Sequence, residues 1–330
     1  MTTNWTIREI DARIVRDRLQ GWLPERVFDA HAHLYRVCDL GSKAGEFARS
    51  GPEIAGYGEW RARMTELLGP REFAGFFFPM PSATVDVAAA NSFLAGELAG
   101  RKDCRRAMLA SPSTSAAEIA SAVAEFGFRG IKGYHLLCPQ QPAMQAPIAD
   151  YLTEEHFAAA HELGLVVVLH MVKDRALADP ANSGDIRRLC VRHPRMKLLL
   201  AHAGRCFNPL HAEEGMVALD GLRNVWFDSS AVCESASLEI VLRRFGPERL
   251  LYGSDFPVAF QRGRCVAVGD GFIWLTGDWH DWKRMIGAPE PSLVGVESLL
   301  ALQRAMDARG FGNAEKELIF GGNAEQLFAD

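Results

Sequence analysis

Eight short apolar runs, most of them ending in polar residues or glycine, alternate with helix-like stretches along the 330-residue chain. A short continuous apolar run is typical of a parallel strand that is buried on both faces. Helical segments between such runs supply the crossover connections that parallel strands require. The runs cover residues 27–34, 72–79, 105–112, 128–135, 164–171, 196–204, 225–231 and 250–257.

This alternation predicts an α/β protein, a (β/α)8 TIM barrel that occupies the whole chain, 1–330, as one domain. A doubly wound open sheet stays as an alternative, because alternation by itself does not require the sheet to close. No G-x-G-x-x-G motif follows the first run to support a dinucleotide site. We also expect a helical N-terminal extension at about 1–24, and insertions after strands one and eight, at about 36–71 and 258–293. Both insertions would lie over the active-site face.

The composition argues against several classes of partner. A net charge of −5 and a pI near 6.1 do not provide the basic surface that nucleic acids require. No apolar run is long enough to cross a membrane, and the first residues lack the apolar core of a secretion signal, so we expect a cytoplasmic protein. Seven scattered cysteines without a Cys-x-x-Cys pair predict reduced thiols.

Candidate metal ligands stand in several of the predicted strands. His31 and His33 lie two residues apart in the first, so a strand's period of two points both imidazoles to the same side. Such a pair is weak evidence when it is isolated. His170, His202 and Asp255, however, stand at or near the ends of three other strands, where the side chains of a barrel converge on one mouth.

Three imidazoles and a carboxylate suit one divalent ion, zinc first and manganese, iron or cobalt as alternatives, with a coordination position left for water. Metal binding brings the pKa of such a water to about 7 in a good zinc site. We therefore predict that Asp255 accepts the proton as the water attacks an electrophilic carbon. His202 would polarise the substrate carbonyl or stabilise an oxyanion, unless it is itself a ligand.

Lys132, in the fourth strand, has two alternative roles. If it points inward and is carboxylated, it would bridge two metals, the second of them bound by His170 and His202. If it is not carboxylated, its ammonium group is free to bind a substrate carboxylate. Tyr134, just past it, and Arg262 and Arg264, in the insertion after strand eight, are further candidates for substrate binding.

Taken in this order, the motifs resemble the amidohydrolase superfamily, and more narrowly its amidohydrolase-2 group of hydrolases and non-oxidative decarboxylases. The resemblance covers nearly the whole barrel and rests on FDAHAH, GFRGIK, VVVLH, LLLAHAG, LLYGSDFP and the closing IFGGNAEQLF. It implies metal ligands at His31, His33, His170 and Asp255, and a catalytic or second-metal role for His202. One departure is that Lys132 is followed by Gly-Tyr-His, where group members often have Leu-His-Pro. Strand alternation then turns His135 away from the side that Lys132 faces.

We therefore expect a metal-dependent hydrolase in which activated water attacks an amide, ester or lactone carbonyl of a small molecule. The alternative is a metal-dependent decarboxylase of a small aromatic carboxylic acid, and released carbon dioxide would distinguish the two. A third class is a non-catalytic binding barrel, which the ligand set disfavours because five polar side chains gathered without a metal would be costly to desolvate. Substrate identity and homo-oligomerisation stay open.

Overall fold

The computed structural model describes residues 5–139, 142–277, 281–287 and 289–329. Eight strands run parallel in the predicted order, and each pairs with the next along the chain. Their bounds are Arg26–Arg36, Glu72–Pro79, Arg105–Ala110, Gly130–Tyr134, Val166–His170, Lys197–Leu200, Val225–Asp228 and Leu250–Leu251.

The sheet closes between strand one and the residues that follow strand eight. Ala30 N donates to Tyr252 O at 2.8 Å, His33 N donates to Phe256 O at 2.8 Å, and Asp255 N donates back to an oxygen of strand one at 2.7 Å. The predicted (β/α)8 barrel is confirmed, and the open doubly wound sheet is wrong. Closure brings the first and last strands side by side, which places the histidines of one next to the aspartate of the other.

A change of register in strand one determines which side chains enter the barrel. The pairing with strand two shifts between Asp29 and Ala32. Ala30 and His31 both lie within the shift: Ala30 belongs to the same buried cluster as Phe76 and Phe78, and the His31 ring contacts the Phe78 ring at 4.8 Å between centroids. A bulge of this kind lets neighbouring residues face the same side.

The bulge is fixed by the buried carboxylate of Asp29. Its Oδ1 accepts from His31 N at 3.1 Å and from Ser254 N at 2.8 Å, and its Oδ2 accepts from Trp60 Nε1 at 3.0 Å. Burial raises the pKa of Asp29 to about 6 despite these hydrogen bonds. Strand one, strand eight and an outer helix therefore share one anchor directly beside the two histidines.

Helices cover the outside of the barrel, with an apolar layer between them and the sheet. Ser115 begins one of them with a capping box, in which its backbone N–H donates to Glu118 Oε2 at 2.7 Å. The helices that lie between or after the strands are Tyr57–Leu68, Val87–Glu97, Ala116–Phe126, Glu154–Leu163, Pro180–Arg192, Pro209–Gly215, Ser235–Phe245, Val294–Ala308, Asn313–Glu317 and Asn323–Leu327.

Further elements lie in the N-terminal segment and in the segments predicted as insertions. The N-terminal segment has a helix at Glu9–Ile14 and a π-helical turn at Val15–Leu19. The segment after strand one carries a 3-10 turn, a short helix and a two-residue antiparallel strand: Val37–Leu40, Glu46–Arg49 and Ile54–Ala55. The segment after strand eight carries a 3-10 turn and a β-hairpin, Val258–Phe260, Gly263–Val268 and Gly271–Thr276. No helix in the described ranges has both the length and the apolar character needed to cross a membrane.

Candidate active site

A cavity of about 420 Å³ opens at the carboxyl ends of the strands. Four of the predicted histidine and aspartate ligands line it, together with the predicted catalytic His202. Aromatic side chains and one arginine from the loop after strand six and from the hairpin complete the wall. The lining residues are His31, His33, Met80, Pro81, Tyr134, His135, Met144, His170, His202, Arg205, Phe207, Ala231, Asp255, Val258, Gln261, Trp274 and Thr276.

Both histidines of strand one have one ring nitrogen held by a hydrogen bond. His31 Nδ1 lies 2.9 Å from Asp228 Oδ2, and His33 Nδ1 lies 3.1 Å from Pro79 O. A carbonyl and a carboxylate accept hydrogen bonds, so each Nδ1 carries a proton and each Nε2 keeps a lone pair. His31 Nε2 is buried and has no hydrogen-bond partner in the described part of the chain. Burial also lowers the pKa of both imidazoles, which keeps them in the neutral form that binds metals.

Asp255 brings its carboxylate to these two nitrogens. Its Oδ1 lies 3.3 Å from His31 Nε2 and 3.6 Å from His33 Nε2, and the three ligand atoms lie within 4.8 Å of one another. Burial opposes ionisation, yet the neighbouring histidines His202, His33 and His31 hold the pKa of Asp255 below its ordinary value. Two neutral imidazoles and a carboxylate at this spacing could hold a divalent cation.

A second group with suitable spacing consists of His31, His202 and Asp228. The Asp228 carboxylate is already occupied, because it accepts from His31 Nδ1, His202 N and Ser230 N at 2.9, 2.9 and 3.1 Å. Ser230 Oγ adds a fourth contact at 2.5 Å. A carboxylate with four hydrogen bonds has little capacity left for a cation, so this group positions the histidines.

His202 has a defined tautomer. Its Nδ1 lies 3.0 Å from Ser230 O, a group that only accepts, so Nδ1 carries the proton and Nε2 bears a lone pair. Burial lowers the pKa of His202 to about 4, so it is neutral at physiological pH. A neutral imidazole in this tautomer accepts at Nε2, which does not fit the predicted donation to a carbonyl or an oxyanion.

His170 lies beside this group on the cavity wall. Its ring centroid is 5.2 Å from that of His202, and the ring stacks on Tyr134 at 4.7 Å. It belongs to neither group with ligand spacing among the described residues, and its Nδ1 is buried without a hydrogen-bond partner.

Lys132 is fully buried and is not among the residues that line the cavity, so its contact with substrate stays a prediction. Its Nζ has no hydrogen-bond partner among the described residues and lies 4.4 Å from the Phe78 ring centroid. Burial lowers the pKa of Lys132 to about 8, although Asp228 and Asp255 favour the charged form. Strand four places this side chain in the barrel interior, where its charge influences the pKa of the cavity histidines His31, His33, His170 and His202.

The two predicted arginines are also away from the cavity. Arg262 pairs with the buried Asp11 at 2.7 Å and donates to Pro291 O at 2.7 Å. Arg264 pairs with Glu297 at 3.3 Å and donates to Cys233 O at 3.0 Å. Both guanidinium groups have partners within the protein and neither lines the cavity, so their role as substrate ligands stays a prediction, whereas Tyr134 does line the cavity.

Two lining residues were missed or misplaced by sequence reasoning. His135 lines the cavity and stacks on His170 at 5.3 Å, because strand four ends at Tyr134 and a 3-10 turn begins at His135, so alternation no longer applies. Arg205 follows His202 by three residues. Its position just after a histidine at a strand end was the available signal.

A model of the amidohydrolase family matches residues 28–329 of the chain. No curated protein shows significant similarity to it. Solved structures share the fold at low identity. An amidohydrolase from Burkholderia multivorans with bound zinc is 17% identical, with a TM-score of 0.60 over 92% of this chain and 99% of that chain.

Two further structures cover the same shares of each chain, 92% and 99%. A probable 2-pyrone-4,6-dicarboxylic acid hydrolase from Acinetobacter baumannii is 15% identical with a TM-score of 0.59. The 5-carboxyvanillate decarboxylase from Sphingomonas paucimobilis is 16% identical with a TM-score of 0.55. At these identities the likeness shows the fold, which is shared by hydrolases and decarboxylases.

Proposed function

The chain belongs to the amidohydrolase family, and on that premise we propose that it is a metal-dependent hydrolase of a small amide, ester or lactone. The observation that carries the proposal is the group formed by His31 Nε2, His33 Nε2 and Asp255 Oδ1 at the floor of the cavity. The volume of the cavity, about 420 Å³, suits a small molecule.

His31, His33 and Asp255 would hold one divalent cation, with His170 as a fourth ligand. The buried lone pair of His31 and the unpartnered Nδ1 of His170 fit such a cation, because an unsatisfied buried polar atom is otherwise costly. Zinc is the first candidate, and the zinc-bound relative from Burkholderia multivorans supports a divalent ion here. A bound cation would supply Lewis acidity, which activates water and polarises a substrate oxygen.

We propose one cation rather than two. A second site would need His202 and a carboxylated Lys132. His202 is held by Ser230 and Asp228 through its Nδ1 and its backbone N–H, and Asp228 itself is fully hydrogen-bonded. Lys132 lies close enough to both aspartates for its charge to interact with theirs.

Asp255 would take the proton from the attacking water. Its lowered pKa keeps it ionised at neutral pH. A water that donates one hydrogen to Asp255 and the other to His202 Nε2 is oriented by two acceptors. The role of His202 is then to position the water, in place of the electrophilic role that the sequence suggested.

Hydrolysis is favoured over decarboxylation by the protonation states of the cavity. Decarboxylation of an aromatic acid needs a group that delivers a proton to carbon. The pKa values of His31, His33, His170 and His202 are all lowered by burial, so none of these imidazoles is a ready acid at neutral pH. An ionised Asp255 and a neutral His202 are instead two acceptors, as the activation of water requires.

The test is a parallel assay of two products. Protein stripped with a chelator and reloaded with zinc or manganese is offered lactones, esters and amides of small carboxylic acids, and separately hydroxybenzoic acids. We expect metal-dependent acid release from the first set, absent in Asp255→Asn. Carbon dioxide from the second set without acid release from the first would replace the hydrolase with a decarboxylase. A fully metallated Asp255→Asn chain that retains activity would refute the assigned base.

A further inference from the structure

Arg205 lines the wall of the cavity, and its guanidinium is a hydrogen-bond donor, whereas the groups at the cavity floor are acceptors. Its charge reaches Tyr134, His135 and His170, since it influences the pKa of each. The residue is partly buried, and burial lowers its own pKa, but a guanidinium group stays protonated in proteins. Among the described lining residues, Arg205 thus supplies a fixed positive charge beside imidazoles that burial keeps neutral.

No carboxylate of the described residues forms an ion pair with this guanidinium, although the charge of Asp174 is near enough to influence the pKa of Arg205. The guanidinium makes one hydrogen bond there, donated by Nη1 to Lys173 O at 3.0 Å, and its face lies 5.2 Å from the Phe272 ring centroid. Arg175, in contrast, pairs with Glu214 and Asp270 at 2.8 and 3.0 Å. A partly buried cation that no carboxylate contacts is destabilising unless a ligand supplies a counter-charge.

The backbone that carries Arg205 is strained. His202, Ala203, Gly204 and Arg205 have consecutive φ values of 56°, 52°, 75° and 56°. For a residue other than glycine this left-handed conformation costs about 1 kcal/mol or more, and such strain concentrates at functional sites. The same turn delivers His202 and Arg205 to one cavity, so the strain is explained if both act on one bound molecule.

We infer that Arg205 binds a carboxylate group of the substrate, next to the carbonyl that is attacked at the cavity floor. This inference deepens the proposed function and rests on it, because it uses the same cavity. The planar guanidinium matches a carboxylate through two parallel hydrogen bonds. Phe207 and Trp274, whose rings lie 5.3 Å apart on the same wall, would contact the apolar body of the molecule. The substrate class is therefore a small carboxylated ester, lactone or amide.

The test is a binding titration with isophthalate, a planar dianion, and isophthalamide, its neutral analogue, on protein as purified. We expect isophthalate to bind the wild type, and Arg205→Met to bind it at least tenfold more weakly, as the loss of a charge-assisted pair implies. The isophthalate affinity of Arg205→Lys should lie between those of the wild type and Arg205→Met, since lysine keeps the positive charge but lacks the planar pair of N–H donors. Isophthalamide affinity should change little in either variant. Arg192→Met, an exposed arginine paired with Glu154, is the matched control.

Equal isophthalate binding by wild type and Arg205→Met, or none by the wild type, would overturn the inference. Thermal unfolding identifies a variant that fails to fold. If Arg205→Met fails to fold, Arg205→Lys decides: a merely structural arginine would leave the preference for isophthalate over isophthalamide unchanged in this variant. The proposed function fails differently, through absent metal or absent acid release while isophthalate still binds through Arg205.

Discussion

His31 Nδ1 and Asp228 Oδ2 lie 2.9 Å apart, and both side chains are completely buried. The other carboxylate oxygen of Asp228 accepts the backbone N–H of His202. One carboxylate from strand seven thus fixes a histidine of strand one and the turn after strand six. Burial opposes its ionisation, but His31 and the hydrogen bonds hold the pKa of Asp228 far below its ordinary value.

Asp228→Asn is therefore expected to weaken metal binding by roughly 10- to 100-fold, as removal of the partner of a ligand histidine typically does. The amide would also allow the imidazole tautomer with its proton on Nε2, which removes the lone pair that faces Asp255. Competition with a chromophoric chelator measures the affinity, and Asp17→Asn, at an exposed position, is the control. An Asp228→Asn protein that binds metal like the wild type would show that this carboxylate does not orient His31.

Asp255→Ala is expected to lower metal content and to reduce the rate of acid release by at least about 10²-fold, because it removes both a proposed ligand and the proposed base. Metal content by elemental mass spectrometry and the rate at saturating metal separate the two effects. Asp255→Asn, which keeps the shape, should recover metal at high concentration without recovering the rate. Full recovery of both would exclude Asp255 as the base.

The barrel and most of the cavity could be predicted because their signals are local. Apolar runs indicate the strands. Polar residues at the strand ends meet at one mouth of the barrel, and this does not depend on the conformation of the loops. The position of His135 could not be predicted, since it depends on where strand four ends. Arg205 was missed because its direction is set by a left-handed turn, which the sequence of the turn does not specify.

Arg262 shows the complementary limit. It follows the strand-eight aspartate in the chain, which suggested an active-site role, but its partner Asp11 lies 251 residues away in sequence. A pairing between an N-terminal helix and an insertion has no periodic signature. Contacts of this range are decided by the assembled tertiary structure, which local patterns do not determine.

Lys132→Met is expected to stabilise the chelator-treated chain at pH 7, by up to about 3 kcal/mol, because the buried ammonium of Lys132 has no hydrogen-bond partner among the residues that the structure describes. The folded-state pKa of Lys132 is about 8 and its ordinary value is 10.5. Below pH 8 the buried charge lowers the free energy of unfolding of the wild type by its full amount. As the pH rises from 8 to 10.5, the folded chain loses the proton, and the free energy of unfolding of the wild type rises toward that of the variant. Urea unfolding at pH 7 and 10.5 measures the difference, and a constant gap would contradict a buried ammonium.

Arg262→Met is expected to lower the free energy of unfolding by about 3 to 5 kcal/mol, because it leaves the fully buried Asp11 without its counter-charge. The affinity of the folded protein for isophthalate should stay within about twofold, since this guanidinium does not line the cavity. The double variant Asp11→Asn/Arg262→Met should lose less than the sum of the single changes, because the two residues interact directly. Urea unfolding and isophthalate titration on the same preparations separate a stabilising ion pair from a substrate ligand. An Arg262→Met chain of normal stability that binds isophthalate tenfold more weakly would restore Arg262 as a substrate ligand and remove the structural role assigned to it here.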